Sequence, residues 1–143
     1  MKKNKGFNYS KRSKINKDKI NYPVKESASY DFDYPIFCFK YLSKSIKDCP
    51  KEHKEEFITR LFKLSKLSFK QINTSNRHQY GWEKINKKTL RINLPPFITE
   101  EVNFLYAYRY NGKKNPFLAY RRPNTSILHI IAIDYNFSAY NHS

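Results

Sequence analysis

Glycine is almost missing from this chain, with three in 143 residues. So few glycines exclude a Gly-rich phosphate-cradling loop, which needs several at fixed spacing. Cysteine is as scarce. Cys38 and Cys49 form no CxxC pair, so a disulfide framework and a four-thiolate zinc site are both excluded. Reduced thiols in a cytoplasmic protein are the expectation. The four histidines (His53, His78, His129 and His142) show no metal-ligand spacing. No metal and no cofactor are therefore expected. No run of ~18 apolar residues occurs, so no membrane-spanning helix is expected. The basic start is not followed by an apolar segment, which argues against a secretory signal.

Negative charge is also in short supply. Lys and Arg number 28 against 12 Asp and Glu, a formal net charge of +16. Such an excess gathers phosphate-bearing partners and speeds their encounter. Codon bias contributes, since the chain holds 14 Asn and 13 Ile. That bias accounts for abundant Lys better than for scarce Asp and Glu, whose codons can be equally AT-rich. Residues 1–30 carry nine basic and two acidic residues and no apolar period. They read as a flexible basic arm. Residues 31–143 remain about +9 and form a single expected domain, since 39% hydrophobic and 17% aromatic residues suffice for a core.

The pattern within that domain predicts an α+β fold. Tyr34–Leu42 is aromatic and β-branched and reads as a strand. Asp48-Cys-Pro50 reads as a helix start with Asp48 or Cys49 as cap. Phe57, Ile58, Leu61, Phe62 and Leu64 or Leu67 then recur at helical spacing, with Glu56 and Arg60 as an i,i+4 pair. A shorter helix is expected over 68–73 and a loop over 74–82. A short strand is expected over Thr89–Leu94. Val102–Tyr110 alternates with period two and runs into Asn111-Gly112, a hairpin signal, with Phe117–Arg121 returning. Ile127–Ile133 is nearly continuous apolar and suits a central strand. The reading is strand, two helices, then an antiparallel β-meander with the helices on one face.

Three groups of residues stand out as candidates for chemistry. Arg77, His78, Tyr80 and Trp82 mix cationic, titratable and aromatic groups that can grip phosphate and stack on bases. The competing reading has Tyr80 and Trp82 anchoring a surface loop. Tyr108, Arg109 and Tyr110, with Tyr120, Arg121 and Arg122 on the return strand, could converge on one face and bind single-stranded RNA. The tail from Asp134 places Tyr140 and His142 after a rigid strand, as a proton-moving pair. Asp134 reads as the charge that ends the strand, His53 as a solvated residue at a helix start, and His129 as a hydrogen-bonded core residue.

The element order, with Phe117–Arg121, Ile127–Asp134 and Phe137-Ser-Ala-Tyr140-Asn-His142 closing the chain, resembles the RelE/ParE superfamily. Its ribosome-associated members are messenger RNA interferases of bacterial toxin–antitoxin systems. The closing stretch is also similar to small proteins of phages and mobile elements. The resemblance covers about residues 33–142 and leaves the basic arm unmatched. It implies RNA cleavage without metal, in which the ribose 2′-hydroxyl attacks the adjacent phosphorus. It further implies Arg109 and Arg121 as the cations that hold developing charge, Tyr140 and His142 as proton movers, and ribosome-bound mRNA and an acidic antitoxin protein as partners. Some superfamily members act on proteins instead, so shape alone does not fix function. Two further readings follow from the residues: a non-catalytic nucleic-acid-binding accessory protein of a phage or mobile element, and a protein-binding phage or defence module using its aromatic face.

Overall fold

The chain from residue 32 to residue 142 is described by a computed structural model. The expected basic arm over 1–30 lies outside the described residues. Five strands make one sheet: β1 (Ile36–Cys38), β2 (Trp82–Asn86), β3 (Phe104–Arg109), β4 (Pro116–Arg121) and β5 (Ile127–Ile133). Two helices, α1 (Lys51–Leu64) and α2 (Phe69–Thr74), fall between β1 and β2. The sheet order is β1-β5-β4-β3-β2. β1 pairs with β5 in parallel, Phe37 opposite Leu128, while every other pairing is antiparallel. The fold is thus α+β with a mixed five-stranded sheet, the parallel edge being the one departure from a meander.

The sheet has two unlike faces. On one, Phe57, Leu61 and Leu64 of α1 and Ile72 of α2 pack with Tyr108, Tyr110, Phe117, Ala119, Leu128 and Ile130. Phe57 meets Phe117 edge-on, with ring centroids 5.3 Å apart. Burying a side chain of that size stabilises the fold by roughly 1.5–3 kcal/mol. On the other, Leu105, Ala107, Leu118, Ile131 and Ala132 are covered without a helix, by Ile98 and by Ala139 and Tyr140 of the tail. A β-bulge serves this second face. Leu118 pairs with Ala132 and Ala119 with Ile130, so Ile131 is an extra residue and joins Ala132 in the same cluster.

Several expectations need correction. The first strand spans three residues rather than 34–42. Pro50, not Asp48 or Cys49, occupies the cap position of α1 and offers no side-chain cap. Ile58 and Phe62 remain exposed at 51% and 61%, so the apolar stripe of α1 is narrower than its sequence period. Glu56 does not pair with Arg60. It accepts from Asn111 Nδ2 at 2.8 Å, whereas Arg60 donates to the Gln79 carbonyl and stacks on Tyr80. The strand expected over 89–94 is not formed: Thr89 ends a 3-10 turn, Leu90 makes a single bridge to Tyr140 and 91–94 is irregular, while the strand that pairs with β3 starts earlier, at Trp82. Residues 91–94 run up to Pro95-Pro96 as a cover for the second face, where Ile92 and Leu94 pack. The β3–β4 turn does lie at Asn111-Gly112, yet it is Lys114 that takes the left-handed conformation, at φ 65°. Asn111 C=O accepts from Lys114 N at 3.0 Å, and Asn111 Oδ1 accepts from Asn115 N at 2.9 Å. The side chain of Asn111 therefore closes the loop that a left-handed Gly112 would have closed.

Candidate functional site

Strand alternation separates the residues expected to share one face. Tyr108 and Tyr110 point toward the helices and are 3% and 2% exposed, so neither can stack on a base. Burial raises both phenols well above their ordinary range. Tyr110 Oη is held by His53 Nδ1 at 2.8 Å, which makes His53 a partner of the core rather than a solvated residue. Arg121 also lies on the helix side, where it stacks on Phe69 at 3.7 Å and donates from Nε to the Thr125 carbonyl at 2.6 Å. It stands at the opposite end of the hairpin from Arg109, which pairs with Pro116. Arg121 therefore cannot share a site with Arg109. Trp82 packs on Tyr106 and donates from Nε1 to Asn73 Oδ1 at 2.8 Å, so it anchors the preceding loop. His129 lies on the helix-free face between Tyr41 and Phe97, and its Nδ1 has no hydrogen-bond partner among the described residues. Burial, with Arg122 adding to it, lowers its imidazole.

Arg109 faces the other way and meets the tail. Its Nη1 donates to Tyr140 Oη at 3.3 Å and to the Lys114 carbonyl at 3.2 Å. Its Nη2 donates to Glu83 Oε1 on β2, and Tyr140 Oη donates to the same oxygen at 3.5 Å. Arg77 reaches the other carboxylate oxygen, with Nη1 3.2 Å from Glu83 Oε2. Glu83 was not visible as a site residue from composition. It follows Trp82 in a segment without strict alternation, and only its pairing opposite Ala107 turns it toward Arg109. Arg109 itself is 9% exposed, and its Nε has no partner among the described residues.

The tail brings His142 to the same place. Asp134 N donates to the Pro116 carbonyl at 2.9 Å, fixing the end of β5 beside the start of β4. Asp134 Oδ1 accepts from Ser138 N at 2.8 Å, and Oδ2 lies 3.0 Å from His142 Nε2. Asp134 is 2% exposed and is therefore more than a strand terminator: it folds the tail back and orients the imidazole. The rings of His142 and Tyr140 lie 3.9 Å apart, with Phe137 edge-on to the imidazole. Leu90 bridges to Tyr140, and Arg91 N donates to the Ala139 carbonyl at 2.8 Å, so the tail is pinned on both sides.

The electrostatics of the cluster are uneven. Desolvation pushes the Tyr140 phenol up to about 12, with Arg109 opposing the rise, so it keeps its proton throughout the neutral range. Desolvation, then the charges of Lys114, Arg77 and Arg109, hold the His78 imidazole below its ordinary 6.5 against the pull of Glu83. His78 is exposed and accepts from Arg77 Nε at 3.3 Å. One end of the helix-free face thus carries a neutral imidazole, an Asp-held imidazole, a protonated phenol, two arginines and one carboxylate. Such a set can move protons and hold a phosphoryl group without a metal. Among the described residues no cluster of His, Cys, Asp or Glu has the makings of a metal site. No helix among the described residues is long and apolar enough to cross a membrane. Comparison with family models, with curated proteins and with solved structures finds no match.

Proposed function

We propose that the protein is a metal-independent endoribonuclease of the RelE-like kind, acting on messenger RNA. The observation that carries the reading is the meeting of Glu83, Arg109, Tyr140 and an Asp134-held His142, contributed by β2, β3 and the tail. The excess of basic residues supplies the attraction for the substrate. An acidic protein that neutralises this surface, as an antitoxin would, belongs to the same proposal.

In this mechanism Arg77 turns from His78 Nε2 to the substrate phosphate, and the neutral His78 imidazole so released takes the proton of the ribose 2′-hydroxyl. The 2′-oxygen attacks the adjacent phosphorus, the bond to the 5′-oxygen breaks, and a 2′,3′-cyclic phosphate forms. His142 gives a proton to the leaving 5′-oxygen, with Asp134 holding the ring in place. Arg109 holds the developing negative charge on the phosphoryl oxygens, and Arg77 steers the phosphate. Glu83 and Tyr140 fix the guanidinium of Arg109 in place. Each proton transfer contributes roughly 10²–10⁴ in rate.

One observation favours a second reading, non-catalytic RNA binding. Arg109 is nine-tenths buried and already paired with Glu83, as a structural ion pair would be. Labelled messenger RNA incubated with the protein in EDTA, with and without ribosomes, separates the two. The nuclease reading expects cleavage that disappears in His142→Ala and Arg109→Ala. Intact RNA with a salt-sensitive mobility shift would replace it with the binding reading.

A further inference from the structure

At the far end of β3 from Arg109 lies a cleft of about 490 Å³, unrelated to the cluster just described. Its walls are Phe104 and Tyr106 of β3, Tyr120 and Arg121 of β4, and Arg122 with the Pro123-Asn124 turn. The aromatic groups here differ from Tyr108 and Tyr110 in that Phe104, Tyr106 and Tyr120 are only half-buried, Phe104 and Tyr106 on the helix side of the sheet and Tyr120 on the helix-free side. Their rings are also held in position. Phe104 and Tyr106 meet edge-on at 5.4 Å, Trp82 braces Tyr106 at 4.7 Å, and Phe97 braces Tyr120 at 5.6 Å. Rings fixed in this way lose little freedom when a flat ligand stacks on them.

The charge around the cleft has one dominant sign. Arg122 is exposed and lies over Phe97 at 5.8 Å, Arg121 is fixed by Phe69, and Lys84 lies over the Phe104 ring at 4.4 Å. None of these three cations has a carboxylate partner among the described residues. Glu101 is the one acid that lines the cleft, and it is outnumbered. A half-exposed aromatic ring beside a guanidinium with no carboxylate partner, as Tyr120 is beside Arg122, suits a base and its phosphate, because every base has a face to stack and every phosphate a charge to pair. An apolar peptide would leave the arginines unsatisfied, and a bare anion would not use the rings. The volume also falls in the range that holds a nucleotide-sized ligand.

We infer that the helix-free side of this cleft, where Tyr120 and Arg122 stand together against Phe97, is a second RNA-binding site, which stacks a base and pairs a phosphate away from the scissile bond. The inference rests on the RNA reading of the proposed function. Arg109 lies five residues along β3 from Phe104, roughly 17 Å at ~3.4 Å per residue. A strand occupying both sites must bridge that distance, which takes several nucleotides of chain. The cleft therefore sets a minimum substrate length, and it accounts for aromatic and cationic residues that the reacting cluster does not use.

The test is equilibrium binding of a fluorescent, unstructured 12-nucleotide RNA to the full chain, across a salt series. Arg122→Ala, Arg122→Lys, Tyr120→Leu and Arg109→Ala are compared with the wild type, and each variant's thermal melt is checked. Arg122→Ala and Tyr120→Leu are expected to weaken binding by roughly tenfold, with the salt slope falling by about one for Arg122→Ala alone. Arg122→Lys keeps that slope, whereas Arg109→Ala, at the reacting cluster, reports the contribution of the first site separately. Arg122 is exposed, so its removal decides the matter even where Tyr120→Leu fails to fold. Wild-type binding that neither Arg122→Ala nor Tyr120→Leu alters would overturn the inference and leave the RNA reading intact. A protein that does not bind the RNA at all would overturn both.

Discussion

Arg109 and Glu83 carry the greatest consequence at the scale of single residues. Removing the guanidinium takes the phosphoryl partner from the site and strands a carboxylate that Arg77 alone must then satisfy. Arg109→Ala is expected to lower cleavage by roughly 10²–10³ and to destabilise the fold by about 1–3 kcal/mol, the cost of an unpaired buried polar group. Cleavage rates and denaturant unfolding of the same variant check the two effects separately. His78 gives a pH prediction whose sign follows from its lowered imidazole. Its neutral form is the base, and protonation sets in only below the ordinary 6.5. The contribution of the base should therefore fall away as pH drops below that value, giving the profile an acid limb. Tyr140 keeps its proton up to about 12 and contributes no alkaline loss. A pH–rate profile of the wild type against His78→Gln checks this: the variant should lose the acid limb along with most of the rate.

At the scale of elements, the loop before β2 depends on a close approach that only glycine permits. A Cβ on Gly81 would stand 2.4 Å from the Ser75 carbonyl oxygen, which is backbone and cannot swing aside. Gly81→Ala is expected to cost roughly 1–3 kcal/mol by overpacking. It should also displace Arg77 and His78, so cleavage falls further than stability; a thermal melt and a rate measurement read both. The elements also show how far the sequence was legible. Ile127–Ile133 and Phe117–Arg121 could be read because a buried central strand and its neighbour are apolar enough to mark themselves. The short helix could be read because Ser68 and Gln71 form a reciprocal capping box at its start. β2 escaped notice because Trp82, Glu83 and Lys84 give no clean alternation, and its pairing with β3 is what makes it a strand. The candidate site was half legible: Arg109, Tyr140 and His142 converge, whereas Arg121 and the two inward tyrosines do not. A hairpin turn fixes which residues are opposite, but the face each one takes depends on the register, and that is set by packing.

At the scale of the whole molecule, a formal charge of +16 is the property with the longest reach. It predicts RNA binding whose affinity falls steeply with salt, by about 10³-fold or more between 50 and 200 mM where six or more phosphates are neutralised. Binding titrations at several salt concentrations give that slope directly, and a flat response would mean that the charge does not serve RNA. The two faces of the sheet then divide the work. Helices and buried tyrosines pack one side, and the helix-free side carries the tail that completes the proposed reacting cluster. The measurement that tests the central claim most directly is cleavage of labelled messenger RNA in EDTA by the wild type and by His142→Ala. Cleavage ending in 2′,3′-cyclic phosphate, lost in the variant, is the predicted result. RNA left intact by the wild type with ribosomes present and absent would contradict the account.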